Sequence, residues 1–175
     1  GVYEDKGDPP AVWERMVELY WPALAIPEAH GGLGMGFVEV AIVAEELGRA
    51  TVPSPYLATV TQFAPAIVEL GGDAPRADLL ERIAAGELTG TLAVAEGGRW
   101  GLADVRATAT PSPTGWVLEG TKDAVCDGGS ADEIVVVARG EDGLGAFVVA
   151  GAAVKAALRP GFDPTMPLAD LRFDG

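Results

Sequence analysis

The hydrophobic pattern of the chain changes its period near residue 88, and this change limits the fold more than any other feature. Before it, apolar residues recur at helical spacing, and Phe37, Val40 and Leu47 fall on one face of the clearest predicted helix. After it, short runs rich in Val, Ala and Thr are separated by Gly, Asp and Pro, which is typical of strands. The sequence therefore predicts an α+β chain, with an all-α domain at residues 1–88 followed by an antiparallel β-barrel or sandwich domain at residues 89–175.

Glycine and proline mark the breaks between the predicted elements. Gly48 is expected to end the helix that begins near Phe37, and Gly71 with Gly72 to end the next one. Pro65 is expected to kink or divide the helical segment in which it lies, because it cannot donate a backbone hydrogen bond. In the second half, Gly120 predicts a tight turn between two strand segments, and the apolar residues 135–137 predict a strand that is buried on both faces.

Charge and residue counts exclude several classes of function. The 175 residues carry a net charge of −14, which repels phosphate backbones and makes nucleic acid a poor partner. One cysteine, Cys126, excludes an internal disulfide, and with one histidine, His30, it cannot form a Cys/His zinc site. No apolar run has the length of a membrane span, and no secretory signal is visible. We expect a cytoplasmic protein without metal or membrane partners.

The residues alone do not predict a self-contained active site. His30 lies in a glycine-rich loop without a recognisable nucleophile, so a local capping or packing role is the simpler interpretation. Acidic pairs such as Glu45-Glu46 are typical of a solvated face. Cys126 follows a strand-like run and is best interpreted as a small buried cysteine rather than a nucleophile.

Four segments, in this order, resemble the acyl-CoA dehydrogenase family. PEAHGGLGMGFVEVAIVAEELGRA resembles the PE-x-x-GG-x-G signature and the following E-E-x-G of its N-terminal domain. LERIAAGELTGTLAVAE is similar to the segment that leads to the family's T-E-P motif. GWVLEGTKDAVCDGGSADEIVVVAR is similar to G-x-x-L-x-G-x-K-x-W-I-T-N-G and the strand after it. DPTMPLADLRFDG resembles the strand that closes the middle domain.

The resemblance implies both a fold and a reaction. Family members have an N-terminal helical domain, a middle β domain and a C-terminal four-helix bundle, so we expect a fragment that starts inside the first domain and stops before the bundle. The family uses FAD to remove hydrogens from the α and β carbons of an acyl-CoA thioester, with a glutamate base that usually lies in the bundle. No residue of this chain is therefore assigned a catalytic role, and the chain alone is expected to be inactive.

The resemblance also places the FAD contacts. By position in the two motifs, the predicted cofactor-binding residues are Val94, Ala95, Glu96, Val125 and Cys126. Three side chains differ from the family pattern: Ala95 replaces a threonine, Ala124 the tryptophan that covers the flavin, and Cys126 a flavin-contacting threonine. Loss of stacking surface and hydrogen bonds predicts FAD binding that is weaker by several orders of magnitude, or absent.

Two hypotheses follow from the resemblance. In the first, the parent protein is an FAD-dependent acyl-CoA dehydrogenase with an atypical pocket, acting in fatty acid or steroid side-chain degradation. In the second, it is a degenerate subunit that binds no flavin and contributes structure or half a site to a heteromeric dehydrogenase. Either hypothesis implies an acyl-CoA substrate and a homo- or hetero-oligomer for the complete protein.

Overall fold

A computed structural model describes residues 10–70, 73–113 and 115–175 of the chain. Its contacts group into two compact units. One unit extends to Gly90 and includes Asp163–Met166, and the other comprises Thr91–Phe162 and Pro167–Gly175. The domain boundary after residue 88 stays a prediction, and the predicted helix end at Gly71 and Gly72 lies outside the described residues.

The first unit is built from helices. They are α1 (Pro10–Glu18), α2 (Phe37–Arg49), a π-helix (Leu57–Phe63), α3 (Ala64–Leu70) and α4 (Asp73–Ala84), with a short 3-10 turn at Glu28–His30. One of its cores consists of buried side chains from several helices and the loops between them: Met16, Leu24, Val40, Leu47, Tyr56 and Val60. Val40 and Leu47 are the buried residues of α2, as the helical spacing predicts, whereas Phe37, on the same predicted face, is 59% exposed.

Two breaks in the helical unit test the sequence interpretation. Pro65 divides its segment as expected, because the π-helix ends at Phe63 and α3 begins at Ala64. The expected stop at Gly48 is wrong by one residue, since α2 continues to Arg49. A Cβ at Gly48 would meet no heavy atom within 4 Å, so nothing at this exposed position requires the chain to leave the helix.

The second unit is a seven-stranded sheet. Its strands are β1 (Gly90–Ala93), β2 (Thr108–Ser112), β3 (Gly115–Cys126), β4 (Glu133–Gly140), β5 (Gly143–Ala150), β6 (Lys155–Arg159) and β7 (Leu168–Asp174). The order is β1-β4-β2-β3-β7-β6, with β5 paired to β4. The middle of β4 is buried from Ile134 to Ala138, which confirms the prediction for residues 135–137.

The α+β class is confirmed, but the expectation of a purely antiparallel sheet is wrong. Strand β2 runs antiparallel to β3 and parallel to β4, where Thr108 lies opposite Arg139. Strands β2 and β4 are not consecutive in the chain, and a pairing between such strands leaves no signal in the local pattern of either one. The sheet is therefore mixed.

The predicted turn at Gly120 is also wrong, because β3 continues through this residue to Cys126. Gly120 has φ +133°, and a Cβ there would lie 2.9 Å from the Cα and Cβ of Ala107. The glycine thus allows the backbone of β3 to approach the neighbouring segment closely. It does not reverse the chain.

Candidate functional site

The two segments predicted to share a cofactor lie against each other in the β unit. The backbone N–H of Asp123 donates to the carbonyl of Ala95 at 2.8 Å. The Asp123 carboxylate accepts the backbone N–H of Gly98, also at 2.8 Å. Residues 94–98, which follow β1, are thereby held at the end of β3 by two hydrogen bonds to Asp123, one to its backbone N–H and one to its carboxylate. The sequence predicts the two segments, and the structure brings them together.

A tight turn follows Glu96. Glu96 and Arg99 exchange two backbone hydrogen bonds of 3.0 Å, and Gly97 and Gly98 between them have φ of +58° and +71°. These left-handed conformations favour glycine, so the Gly-Gly pair specifies the turn. Beyond it, Trp100 is exposed, and the Arg99 guanidinium lies 3.2 Å from the Asp104 carboxylate.

A buried ion pair connects the same two segments. The Nζ of Lys122 donates to Oε1 of Glu96 at 2.6 Å and to the carbonyl of Val94 at 3.2 Å. The Lys122 side chain is 0% exposed and that of Glu96 is 12% exposed. The Glu96 carboxylate also accepts the backbone N–H groups of Arg106, at 2.7 Å, and Ala107.

The pair changes the acidity of both groups. Burial raises the pKa of Glu96, but the hydrogen bonds from Lys122, Ala107 and Arg106 outweigh it and hold this pKa below its ordinary value. Burial lowers the pKa of Lys122, and the hydrogen bond and charge of Glu96 offset part of that change.

A bulge shapes the end of β3. The register with β7 shifts between Lys122 and Val125, and Ala124 inside the bulge has φ +50°. The backbone N–H of Ala124 donates to Oδ1 of Asp170 at 3.0 Å. This hydrogen bond lowers the pKa of Asp170, and the Arg159 guanidinium, 3.0 Å from the carboxylate, adds to the effect. Asp170 therefore fixes a backbone conformation that alanine adopts rarely.

The predicted cofactor-binding residues differ in their exposure. Ala95 and Val125 are both only 2% exposed, whereas Val94, Glu96 and Cys126 are partly exposed. The Glu96 carboxylate is occupied by Lys122 and two backbone N–H groups, and the backbone N–H and carbonyl of Glu96 are bonded to Arg99, so its contact with a cofactor stays a prediction. The Cys126 carbonyl accepts a hydrogen bond from the Thr91 hydroxyl at 2.6 Å, and its sulfur lies 3.8 Å from the Asp127 carboxylate.

The described residues contain no group of three or more His, Cys, Asp or Glu side chains that is placed to bind a metal. His30, in the helical unit, lies in the 3-10 turn that the Gly31 loop follows. A separate apolar pocket of about 240 Å³ in the helical unit is lined by side chains that include Ile26, Val60 and Val68, with Glu69 at its edge. Within the described part of the chain, no helix is both long and apolar enough to span a membrane.

The sequence predicts which two segments form the site, which stays a prediction, but it does not indicate the residues that hold these segments together. The sequence motifs assign no role to Lys122, Asp123 or Asp170. The one available signal is a lysine within a predicted strand, where a buried charge requires an acidic partner. The identity of that partner, 26 residues away in the chain, does not follow from spacing.

Comparison with known proteins finds that the chain is similar to proteins named acyl-CoA dehydrogenases. The family model described as "Acyl-CoA dehydrogenase, N-terminal domain" matches residues 2–87. The mitochondrial isovaleryl-CoA dehydrogenase of Arabidopsis thaliana is 30% identical over 146 residues, which cover 79% of this chain and 36% of that protein.

Solved structures show the same fold over nearly the whole chain. The "Tcur3481-Tcur3483 steroid ACAD" superposes with a TM-score of 0.85 at 30% identity, covering 99% of this chain and 48% of that one. The ChsE4-ChsE5 complex from Mycobacterium tuberculosis gives a TM-score of 0.86 at 24% identity, covering 99% and 47%. A glutaryl-CoA dehydrogenase from Mycobacterium smegmatis in complex with FADH2 gives 0.82 at 22% identity, covering 95% and 45%.

The chain thus spans about a third of the length of the curated relative and about half of the chains in these structures. At identities below 25%, the second and third structures support the fold alone.

Proposed function

Because this chain belongs to the acyl-CoA dehydrogenase family, we propose that the full-length protein carrying it takes part in the α,β-dehydrogenation of an acyl-CoA thioester, with residues 94–98 and 122–126 forming one side of an FAD site. The observation that carries the proposal is the contact between these two segments, made by the Asp123 N–H and the Ala95 carbonyl at 2.8 Å. At this contact the main chain offers hydrogen-bonding groups that do not depend on the identity of the side chains.

The residues present fit a flavin through their main chain more than through their side chains. The turn at Gly97 and Gly98 and the bulge at Ala124 present backbone that is withdrawn from regular strand pairing. When bound, FAD supplies a hydride acceptor for the β-carbon of the thioester. The chain's own contribution is to bind and orient this group, and none of its described glutamates is assigned the α-proton.

Three small side chains weaken such a site. Ala124 offers no stacking surface, and an aromatic–ring stack contributes about 1–3 kcal/mol by alanine substitution. Ala95 and Cys126 lack the hydroxyls of the family motif, and each lost hydrogen bond to a buried polar atom costs about 1–3 kcal/mol. One stack and two hydrogen bonds together, about 3–9 kcal/mol, correspond to roughly two to six orders of magnitude in affinity. We therefore propose weak FAD binding by this chain's half of the site.

A second candidate function rests on the same three residues together with one comparison. The "Tcur3481-Tcur3483 steroid ACAD" is named as an assembly of two different chains, and it is 30% identical to this one. A subunit with a weakened flavin site is compatible with such an assembly, because an intact partner subunit then holds the flavin. We propose this heteromeric role as the alternative, with a steroid-derived or branched acyl group among the substrate classes to test.

Absorbance at about 450 nm separates the two candidates. The full-length protein is purified alone and, in parallel, co-expressed with each dehydrogenase homologue from its own gene neighbourhood. A yellow protein that an acyl-CoA bleaches without a partner supports the first function and contradicts the second. A protein that is colourless alone and gains flavin only in a co-purified complex supports the second. Absence of flavin from both preparations refutes the proposal of an FAD site.

A further inference from the structure

Lys122 is the only lysine or arginine among the buried residues of the described chain. A buried ammonium group is costly unless its hydrogen bonds are made, and Lys122 donates to Glu96 and to the carbonyl of Val94. Both acceptors belong to the segment that follows β1. The Lys122 ammonium group of β3 therefore binds residues 94–96 rather than a neighbouring strand of the sheet.

Glu96 extends the connection to a third segment. Its carboxylate accepts the backbone N–H groups of Arg106 and Ala107, immediately before β2. Two side chains thus make four contacts, three of them with the main chain, and join residues 94–96, β3 and residues 106–107. We call Glu96 and Lys122 together the brace.

A pair of apolar side chains would fill the same space at a smaller desolvation cost than the Glu96–Lys122 ion pair. Replacing a buried ion pair by hydrophobic residues of similar volume is often neutral or stabilising in other proteins. Apolar side chains, however, cannot direct the N–H groups of Arg106 and Ala107 or the carbonyl of Val94, because they make no hydrogen bonds. The distinct property of the brace is control of the backbone position.

We propose that Glu96 and Lys122 are positioning residues: the brace holds the main chain of residues 94–98 against β3 in the geometry in which it binds the cofactor. This inference rests on the proposed function for its cofactor part. Its structural part, control of the local backbone position, does not rest on the proposed function. The two parts are measured separately.

Amide hydrogen exchange tests the structural part without any ligand. In the full-length protein, Lys122→Met is expected to accelerate exchange at least tenfold at the amides of Gly98, Arg106 and Ala107. The central residues of β4 are expected to keep their protection. Lys155→Met is the matched control, because Lys155 also forms an ion pair in the β unit, with Asp174 at 2.5 Å, but its side chain is 75% exposed. This control is expected to leave all these amides unchanged.

The double variant Glu96→Leu/Lys122→Met separates positioning from stability. We expect it to recover the melting temperature of the wild type while the amides of Arg106 and Ala107 still exchange at least tenfold faster. FAD titration of the same variants should show at least a tenfold loss of affinity in both the single and the double variant. A role in stability alone predicts recovery of affinity together with melting temperature.

Several results overturn the inference. Unchanged exchange in Lys122→Met, an increase that extends equally to β4, or full recovery of local protection in the double variant each contradict a positioning role. If Lys122→Met does not fold, Glu96→Gln is the variant that tests the inference, because the glutamine side chain retains one acceptor oxygen. Amide exchange in Glu96→Gln that changes equally at Gly98, Arg106, Ala107 and in β4 contradicts the inference. If the wild type binds no FAD while the exchange results hold, the brace stands and the proposed cofactor site fails.

Discussion

Replacing Tyr56 by phenylalanine should stabilise the helical unit, because the native hydroxyl is buried without a hydrogen-bond partner among the described residues. Tyr56 is 0% exposed and packs its ring edge-on against Trp21, with ring centroids 6.4 Å apart. Phenylalanine retains the ring and this contact. An unsatisfied buried polar group costs about 1–3 kcal/mol, so Tyr56→Phe is expected to raise the free energy of unfolding by about that amount.

The same variant should also change the alkaline stability profile. Burial raises the pKa of Tyr56 from 10.0 to about 12. Since the folded state holds the phenolic proton more tightly than the unfolded state, this contribution to stability is complete below pH 10 and is lost as the pH rises to about 12. The shift of two pKa units corresponds to about 2–3 kcal/mol, which the phenylalanine variant cannot lose.

Urea denaturation followed by circular dichroism at about 222 nm, at neutral pH and at intervals from pH 9 to 12, measures both effects on the helices. Tyr20→Phe is the matched control, because Tyr20 is 63% exposed and its hydroxyl loses much less hydration on folding than that of Tyr56. Its unfolding free energy should stay within about 0.5 kcal/mol of the wild type. If Tyr56→Phe instead destabilises the protein by more than 1 kcal/mol, the hydroxyl has a partner and the reasoning is refuted.

Two further predictions concern glycine packing and the bulge. Gly90→Ala should lower the free energy of unfolding by about 1–3 kcal/mol in urea titrations, because its Cβ would lie 2.3 Å from the ring of Phe63. The control Gly48→Ala, in open space within a helix, should be neutral or stabilising, and equal effects of the two substitutions would contradict the close approach at Gly90. Asp170→Ala should accelerate amide exchange at Ala124, while Asp170→Asn, which keeps an acceptor, should preserve most of the protection; identical exchange in the two variants would show that the carboxylate does not hold the bulge.

Local patterns in the sequence predicted the elements whose formation depends on local chemistry. The period of three and four residues in α2 places Val40 and Leu47 in the core, where the structure also has them. Pro65 divides its helix through the missing N–H, which is a property of one residue. The buried run of β4 follows from its continuous apolar character.

Features that depend on distant partners were missed. The parallel pairing of β2 with β4 joins residues 108 and 139, and the close approach at Gly120 involves Ala107. Glycine is compatible with a turn and with close packing, and only the neighbouring segment decides between them. The brace is similar, because a lysine in a strand does not identify its acidic partner among the 26 Asp and Glu residues of the chain.

The family resemblance predicts the residues of the site, and the structure changes the roles assigned to these residues. The resemblance predicts Glu96 as a direct cofactor contact, and that assignment stays a prediction. Its carboxylate is directed to Lys122 and to two backbone N–H groups, which supports a positioning role. The side chains at positions 95, 124 and 126 remain the weak part of the proposed FAD site.

The most direct test of this account is the FAD affinity of the full-length wild type compared with that of the triple variant Ala95→Thr/Ala124→Trp/Cys126→Thr, measured by quenching of flavin fluorescence at a fixed salt concentration. If the chain retains the backbone of a flavin site and lacks its side chains, the triple variant should bind at least about 100-fold more tightly, in line with one regained stack and two regained hydrogen bonds. Equal affinities, or no binding by either protein, would contradict the claim that the framework of the site is preserved.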